Sequence, residues 1–162
     1  MSGTFNGGCE CGATRYRMHG DPIMTNCCHC RDCQRITGSA FAINAMTETD
    51  RIEILQGEPL VRSLEREGAG DTRAWRCGVC DTLLYADHPM FGDKARFVRA
   101  GTLDQGELLT PDAHYFIRSK YPWVTIPVGV AQFSTLPEDG TGVDLGELRT
   151  ARLMATLVES PH

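Results

Sequence analysis

"WRCGVCDTLLY", residues 75–85, sets Cys77 and Cys80 three positions apart between apolar residues. Such a pair has two readings, a redox couple or half of a metal cup. The redox arrangement calls for a helix directly after the pair. The following "DTLLYAD" has the composition of a strand instead. We therefore expect a hairpin whose tip carries both thiols, with Gly78 easing the backbone curvature. A hairpin here makes the surrounding chain mainly β.

Working outward, other stretches read the same way. "ATRYRM" (13–18) alternates and is rich in strand formers. "GSAFAINAM" (38–46) places Phe41, Ile43 and Ala45 on one face, the pattern of a half-buried strand. "RIEIL" (51–55) and "LVRSLERE" (60–67) follow, split by the turn "QGEP". "ARFVRAGTL" (95–103) and "HYFIRS" (114–119) are further strands. "YPWVTIPVGVAQF" (121–133) contains Pro122 and Pro127 and belongs at an edge or in an irregular loop. "LPEDGTG" (136–142) is a turn-rich linker. Beyond it, Leu145, Leu148, Ala151, Met154 and Leu157 recur every three residues, and Asp144 with Glu147 makes an acidic helix start. We expect an amphipathic helix over 144–159, which either covers the sheet or offers a homodimer contact.

The chain has 162 residues, 41% apolar and 23% charged, in the range of one globular domain with a real core. Its formal charge of −5 excludes the broad positive field that holds nucleic acid. The start lacks a basic region followed by an apolar one, and no apolar run approaches the ~18 residues of a membrane span. A cytoplasmic location is the expectation. In that reducing compartment, eight cysteines read as metal ligands rather than disulfides.

Cys9-Glu-Cys11 is a second half-cup, since residues two apart in an extended segment point to the same face. Joined to Cys77 and Cys80, it makes a closed four-cysteine zinc site. "NCCHCRDCQ" (26–34) supplies a second site: Cys28, Cys30 and Cys33 give three sulfurs from one loop and leave a fourth position open. Its alternative is a closed structural zinc completed by another side chain such as Cys27. Cys27 otherwise packs inward. His29 is a group behind the ligands, a solvent-facing side chain, or a fourth ligand. His19, His88 and His114 read as ordinary surface or structural histidines.

"GGCECGATRY", "CHCRDCQRITGSAF", "WRCGVCDTLLY", "AGTLD" and "PDAHYFIRSKYPWV" together resemble the glutathione-dependent formaldehyde-activating enzyme family, which includes centromere protein V. The resemblance covers about 5–123. It implies a β-tent of small folded sheets, which we place over 1–137; the linker and C-terminal helix over 138–162 lie outside the match. It implies two zinc ions per chain: one held by Cys9, Cys11, Cys77 and Cys80, and a reactive one held by Cys28, Cys30 and Cys33. It further implies a carbon–sulfur lyase that handles adducts of glutathione, or a related small thiol, with an aldehyde. Many relatives carry Arg directly after the third cysteine of the second cluster. Here Gln34 stands there, with Arg35 next.

A thiolate joining three others at a zinc needs a nearby cation. Arg31 and Arg35 are the local candidates, with Lys120 and Arg118 more distant. Trp123 is a candidate pocket wall. These make Arg31, Arg35, Lys120 and Trp123 the expected substrate contacts. No nucleophile elbow, phosphate-cradling loop or HExxH motif offers another chemistry. The competing reading is a noncatalytic zinc module that uses the same fold for binding.

Overall fold

The structure is a computed structural model and describes residues 3–66, 70–137 and 142–158. Its elements run β1 (Thr4–Gly8), β2 (Arg15–His19), β3 (Met24–Cys28), α1 (Arg31–Thr37), β4 (Ala42–Glu48), β5 (Ile52–Gln56), β6 (Leu60–Arg66), β7 (Gly70–Arg76), β8 (Leu83–Ala86), β9 (Ala95–Arg99), β10 (Ala113–Tyr115), β11 (Ala131–Gln132) and α2 (Gly146–Thr156). The protein is mainly β with a C-terminal helix. α2 is shorter at both ends than the expected 144–159, ending at Thr156 with Leu157 extended; Glu159 and most of the linker lie outside the described residues.

Two sheets form. The small one has the order β1-β2-β5, all antiparallel. The large one runs β11-β10-β3-β4-β9-β8-β7-β6, with β10 parallel to both of its neighbours. "RIEIL" and "LVRSLERE" therefore separate, β5 to the small sheet and β6 to the edge of the large one. Gly57, at φ 76°, turns the chain between them.

Each face of the large sheet buries its own core. One face sets Ala45, Leu84, Tyr85 and Val98 against Phe5, Tyr16 and Met18 of the small sheet. A bulge at Trp75/Arg76 lets adjacent Leu84 and Tyr85 both enter that core. The other face sets Met24 and Met46 against Leu145 and Leu153 around α2. Paired guanidinium–carboxylate contacts fix α2 in place, Arg149 to Asp112 at 3.0 Å twice and Arg152 to Glu48 at 2.7 and 2.6 Å.

Three expectations change. β4 is not half-buried with Ile43 inward: it is central, buried on both faces from Asn44 to Thr47, and Ile43 is exposed. The small sheet covers one face of this strand and α2 the other, so alternation fails as a guide. The α2 stripe is also different. A three-residue repeat slips about 60° per step on a 3.6-residue helix, so the expected row winds around it. Leu148 and Met154 end outside, while Leu153 and Thr156 are buried. Finally, the second cysteine stretch is not one loop, because α1 begins inside it.

Candidate metal centre

The four-sulfur group is built from two turns. Cys9 and Cys11 follow β1, and Cys77 and Cys80 lie between β7 and β8, as the hairpin reading expects. All four sulfurs lie within 4.8 Å of one another. Cys9–Cys11 is 3.6 Å and Cys11–Cys77 is 3.9 Å. Sulfurs placed tetrahedrally at about 2.3 Å from a zinc are separated by about 3.8 Å, so this donor set fits such an ion. No disulfide joins any of the eight cysteines. The positive φ of the hairpin tip falls on Asp81, at 62°, rather than on Gly78. Backbone N–H groups already point at the sulfurs: Thr14 donates to Cys9 at 3.2 Å and Val79 to Cys77 at 3.4 Å. Donors of this kind favour the anionic sulfur. The Thr82 hydroxyl, 3.0 Å away, is the largest cause holding the Cys80 thiol down to about 6.

The three-sulfur group is more local. Cys28 ends β3, Cys30 caps α1 by accepting the Cys33 N–H at 3.3 Å, and Cys33 lies in the first helical turn. Their sulfurs also lie within 4.8 Å of one another. Crowding splits their ionisation. Hydrogen bonds from Cys28 and Cys33 hold Cys30 far below the ordinary thiol range. Hydrogen bonds to Cys30 and Cys33, with burial, push Cys28 far above it. Three thiols this close cannot all ionise unless a cation sits among them, which is what a metal provides. Neither Cys27 nor His29 joins the group. Cys27 is buried, and burial pushes its thiol up to about 11.

His29 is fully buried and does not face solvent. Its Nε2 meets His114 Nδ1 at 2.9 Å, and its ring packs on Phe41 at 5.0 Å. Burial is the main reason both rings stay neutral, helped by the nearby Lys120 charge. His29 falls to about 4, and His114 is also lowered. His29 Nδ1 has no partner among the described residues. His114, read as ordinary, thus stands directly behind the cup.

The expected substrate contacts are spread around this region. Gln34 is buried and fully engaged. Its Nε2 donates to the carbonyls of His29 at 3.0 Å and Ser119 at 2.9 Å, and its Oε1 accepts from Arg31 at 2.6 Å. Arg35 is exposed on α1. Lys120 donates to the carbonyls of Tyr121 at 3.2 Å and Val124 at 2.6 Å. Trp123 is 74% exposed beside Tyr121, outside the core. The cation felt by Cys33 is one that sequence reading missed, Arg99 at the end of β9. Its Nη1 donates to Asn44 at 2.7 Å, and Asn44 donates to Asn26 at 3.2 Å. The available signal was a cation on the strand "ARFVRAGTL", but its partners lie on β3, β4 and α1.

The fold and these two groups define a mainly β protein with two thiol clusters arranged to hold metal ions. The family model for the glutathione-dependent formaldehyde-activating enzyme matches residues 4–119, and the chain belongs to that family. No curated protein matches the sequence. A crystal structure of a Rhodobacter sphaeroides protein is similar in fold, at 15% identity and a TM-score of 0.48. The match covers 79% of this chain and 98% of that one. Among the described residues no helix is long and apolar enough to cross a membrane.

Proposed function

We propose that the chain is a zinc-dependent carbon–sulfur lyase of the thiol–aldehyde type, acting in the reducing cytoplasm on glutathione, or a related small thiol, and formaldehyde. The observation that carries the reading is the three-sulfur cup, which offers three ligands where a closed site offers four. Family membership supports the glutathione and formaldehyde chemistry in general. Cys9, Cys11, Cys77 and Cys80 hold the structural zinc, and Cys28, Cys30 and Cys33 hold the reactive one. A zinc in that cup would favour the thiolate form of an incoming thiol at neutral pH.

The chain's own groups do the rest. The thiol sulfur forms a bond to the aldehyde carbon, the carbonyl π pair moves to oxygen, and the thiol proton ends on that oxygen as a hydroxymethyl thioether. Arg99 offsets negative charge at Cys33. The neutral His29–His114 pair is buried beside the cup, with His29 between Cys28 and Cys30 in sequence. Arg31, Arg35 and Trp123 are exposed and Lys120 is half-buried, and these four are proposed contacts for the substrate.

The test follows formaldehyde loss with glutathione against the spontaneous reaction. A rate above background that disappears in Cys30→Ser is expected. A wild-type rate equal to background would contradict the lyase reading and leave a noncatalytic zinc module.

A further inference from the structure

We propose that β6 is a dimerisation edge, which pairs antiparallel with β6 of a second copy about a two-fold axis at Ser63. The inference goes beyond the lyase reading and does not depend on it. β6 ends the large sheet and pairs only with β7. An open edge is ordinarily blunted by a short strand, a proline, a lysine or a bulge. The opposite edge, β11, is only two residues long. β6 has seven residues, with no proline or lysine among them and no register shift against β7. It leaves Leu60, Val61 and Leu64 about half exposed, at 49, 52 and 52%.

Hydrogen-bond phase fixes which backbone groups of β6 point outward. The Arg73 N–H donates to Asp87 Oδ1 at 2.6 Å, and the Arg73 carbonyl accepts from the Asp87 N–H at 2.9 Å. Arg73 therefore turns both groups towards β8. Direction alternates along an antiparallel strand, so Thr72 and Ala74 turn theirs towards β6. The Thr72 hydroxyl also donates to the Leu64 carbonyl at 3.1 Å, which places that carbonyl on the β7 side. Leu64 and Arg62, opposite Thr72 and Ala74, thus bond inward. Val61, Ser63 and Glu65 present their N–H and C=O at the free edge.

A second β6 complements this edge in one register. With the axis at Ser63, Ser63 meets Ser63 of the second copy and Val61 meets Glu65. Every outward N–H of one copy then reaches an outward C=O of the other. The pairs between them set Arg62 against Leu64 of the second copy, where side chains approach most closely. The arginine stem covers the leucine, and the two Leu64 side chains are diagonal neighbours across the axis. An axis at Arg62 would set two arginines together and put Glu65 opposite Pro59, which has no N–H. An axis at Leu64 would put Val61 opposite residue 67, beyond the end of β6. The pairing consumes the long edge and β11 is too short to extend the sheet, so association closes at two copies. β3 is five strands from β6, which leaves both three-sulfur cups outside the interface.

Sedimentation equilibrium of the zinc-loaded protein over a concentration series tests this. Wild type should approach twice the chain mass, and hydrogen exchange at the Val61, Ser63 and Glu65 amides should slow as the dimer fills. Ser63→Pro removes an outward N–H and leaves the ladder to β7 intact. It should keep the wild-type melting temperature and metal content and weaken dimerisation by about tenfold or more. Leu64→Lys, at a half-exposed position, should weaken it as well. Leu148→Lys, on the outer side of α2, should leave the dimer unchanged. A monomer at every concentration would overturn the proposal. So would a dimer that survives Ser63→Pro or Leu64→Lys, or one that Leu148→Lys breaks. A Ser63→Pro chain that fails to fold would overturn the outward phase on which the register rests.

Discussion

The four sulfurs at Cys9, Cys11, Cys77 and Cys80 come from two turns on two different sheets, with 66 positions between Cys11 and Cys77. The three at Cys28, Cys30 and Cys33 come from one strand end and the first turn of one helix. A long closure ties distant parts together, so an ion there stabilises the whole fold. A local cup ties little of the chain together. The two clusters thus differ in how much chain each one closes.

The largest expected contrast is between cysteine substitutions. Cys77→Ser should remove cooperative folding, because structural zinc is worth an apparent 10–16 kcal/mol, as much as a typical domain's whole stability. Cys30→Ser should keep a cooperative thermal transition and lose one metal equivalent. Circular dichroism melts with metal analysis check both, and equal losses from the two variants would break the contrast.

A smaller effect is expected at Arg99, which belongs to the cup side only. Arg99→Leu leaves the Asn44 carbonyl oxygen without its donor and should cost about 1–3 kcal/mol in denaturant unfolding. It should also weaken metal retention at the second site and leave the four-sulfur site intact. Loss of both metals would show that the two regions are not independent.

The smallest is a pH effect. Folded His29 and His114 stay neutral below the pH at which unfolded histidine takes up a proton, about 6.5. Their contribution is fully present above that pH and is lost as pH falls towards the folded value, about 4 for His29. Stability should therefore fall on acidification from 6.5 to 5, and His114→Gln should flatten that slope. An unchanged slope would place the acid sensitivity elsewhere.

Much of this contrast is written in local spacing. The hairpin at Cys77 and Cys80 is legible because a strand pattern follows the pair. Both cysteine groupings follow from spacing and from the reach of extended segments. α1 was hidden because its start is capped by a cysteine side chain, outside the usual capping residues. The double burial of β4 depends on elements distant in sequence on each face, so alternation could not reveal it. Arg99 and His114 were hidden for the same reason. Each reaches its cup through cross-strand pairing, which leaves no mark in the neighbouring residues. The α2 stripe misled because a repeat of three is not the repeat of a helix face.

Stepwise removal of metal by a mild chelator, followed together with near-ultraviolet circular dichroism, tests the central claim most directly. The account predicts about two zinc per chain, the first released with the fold intact and the second only with unfolding. Simultaneous release of both ions with loss of the fold, or a first release that unfolds the chain, would contradict it.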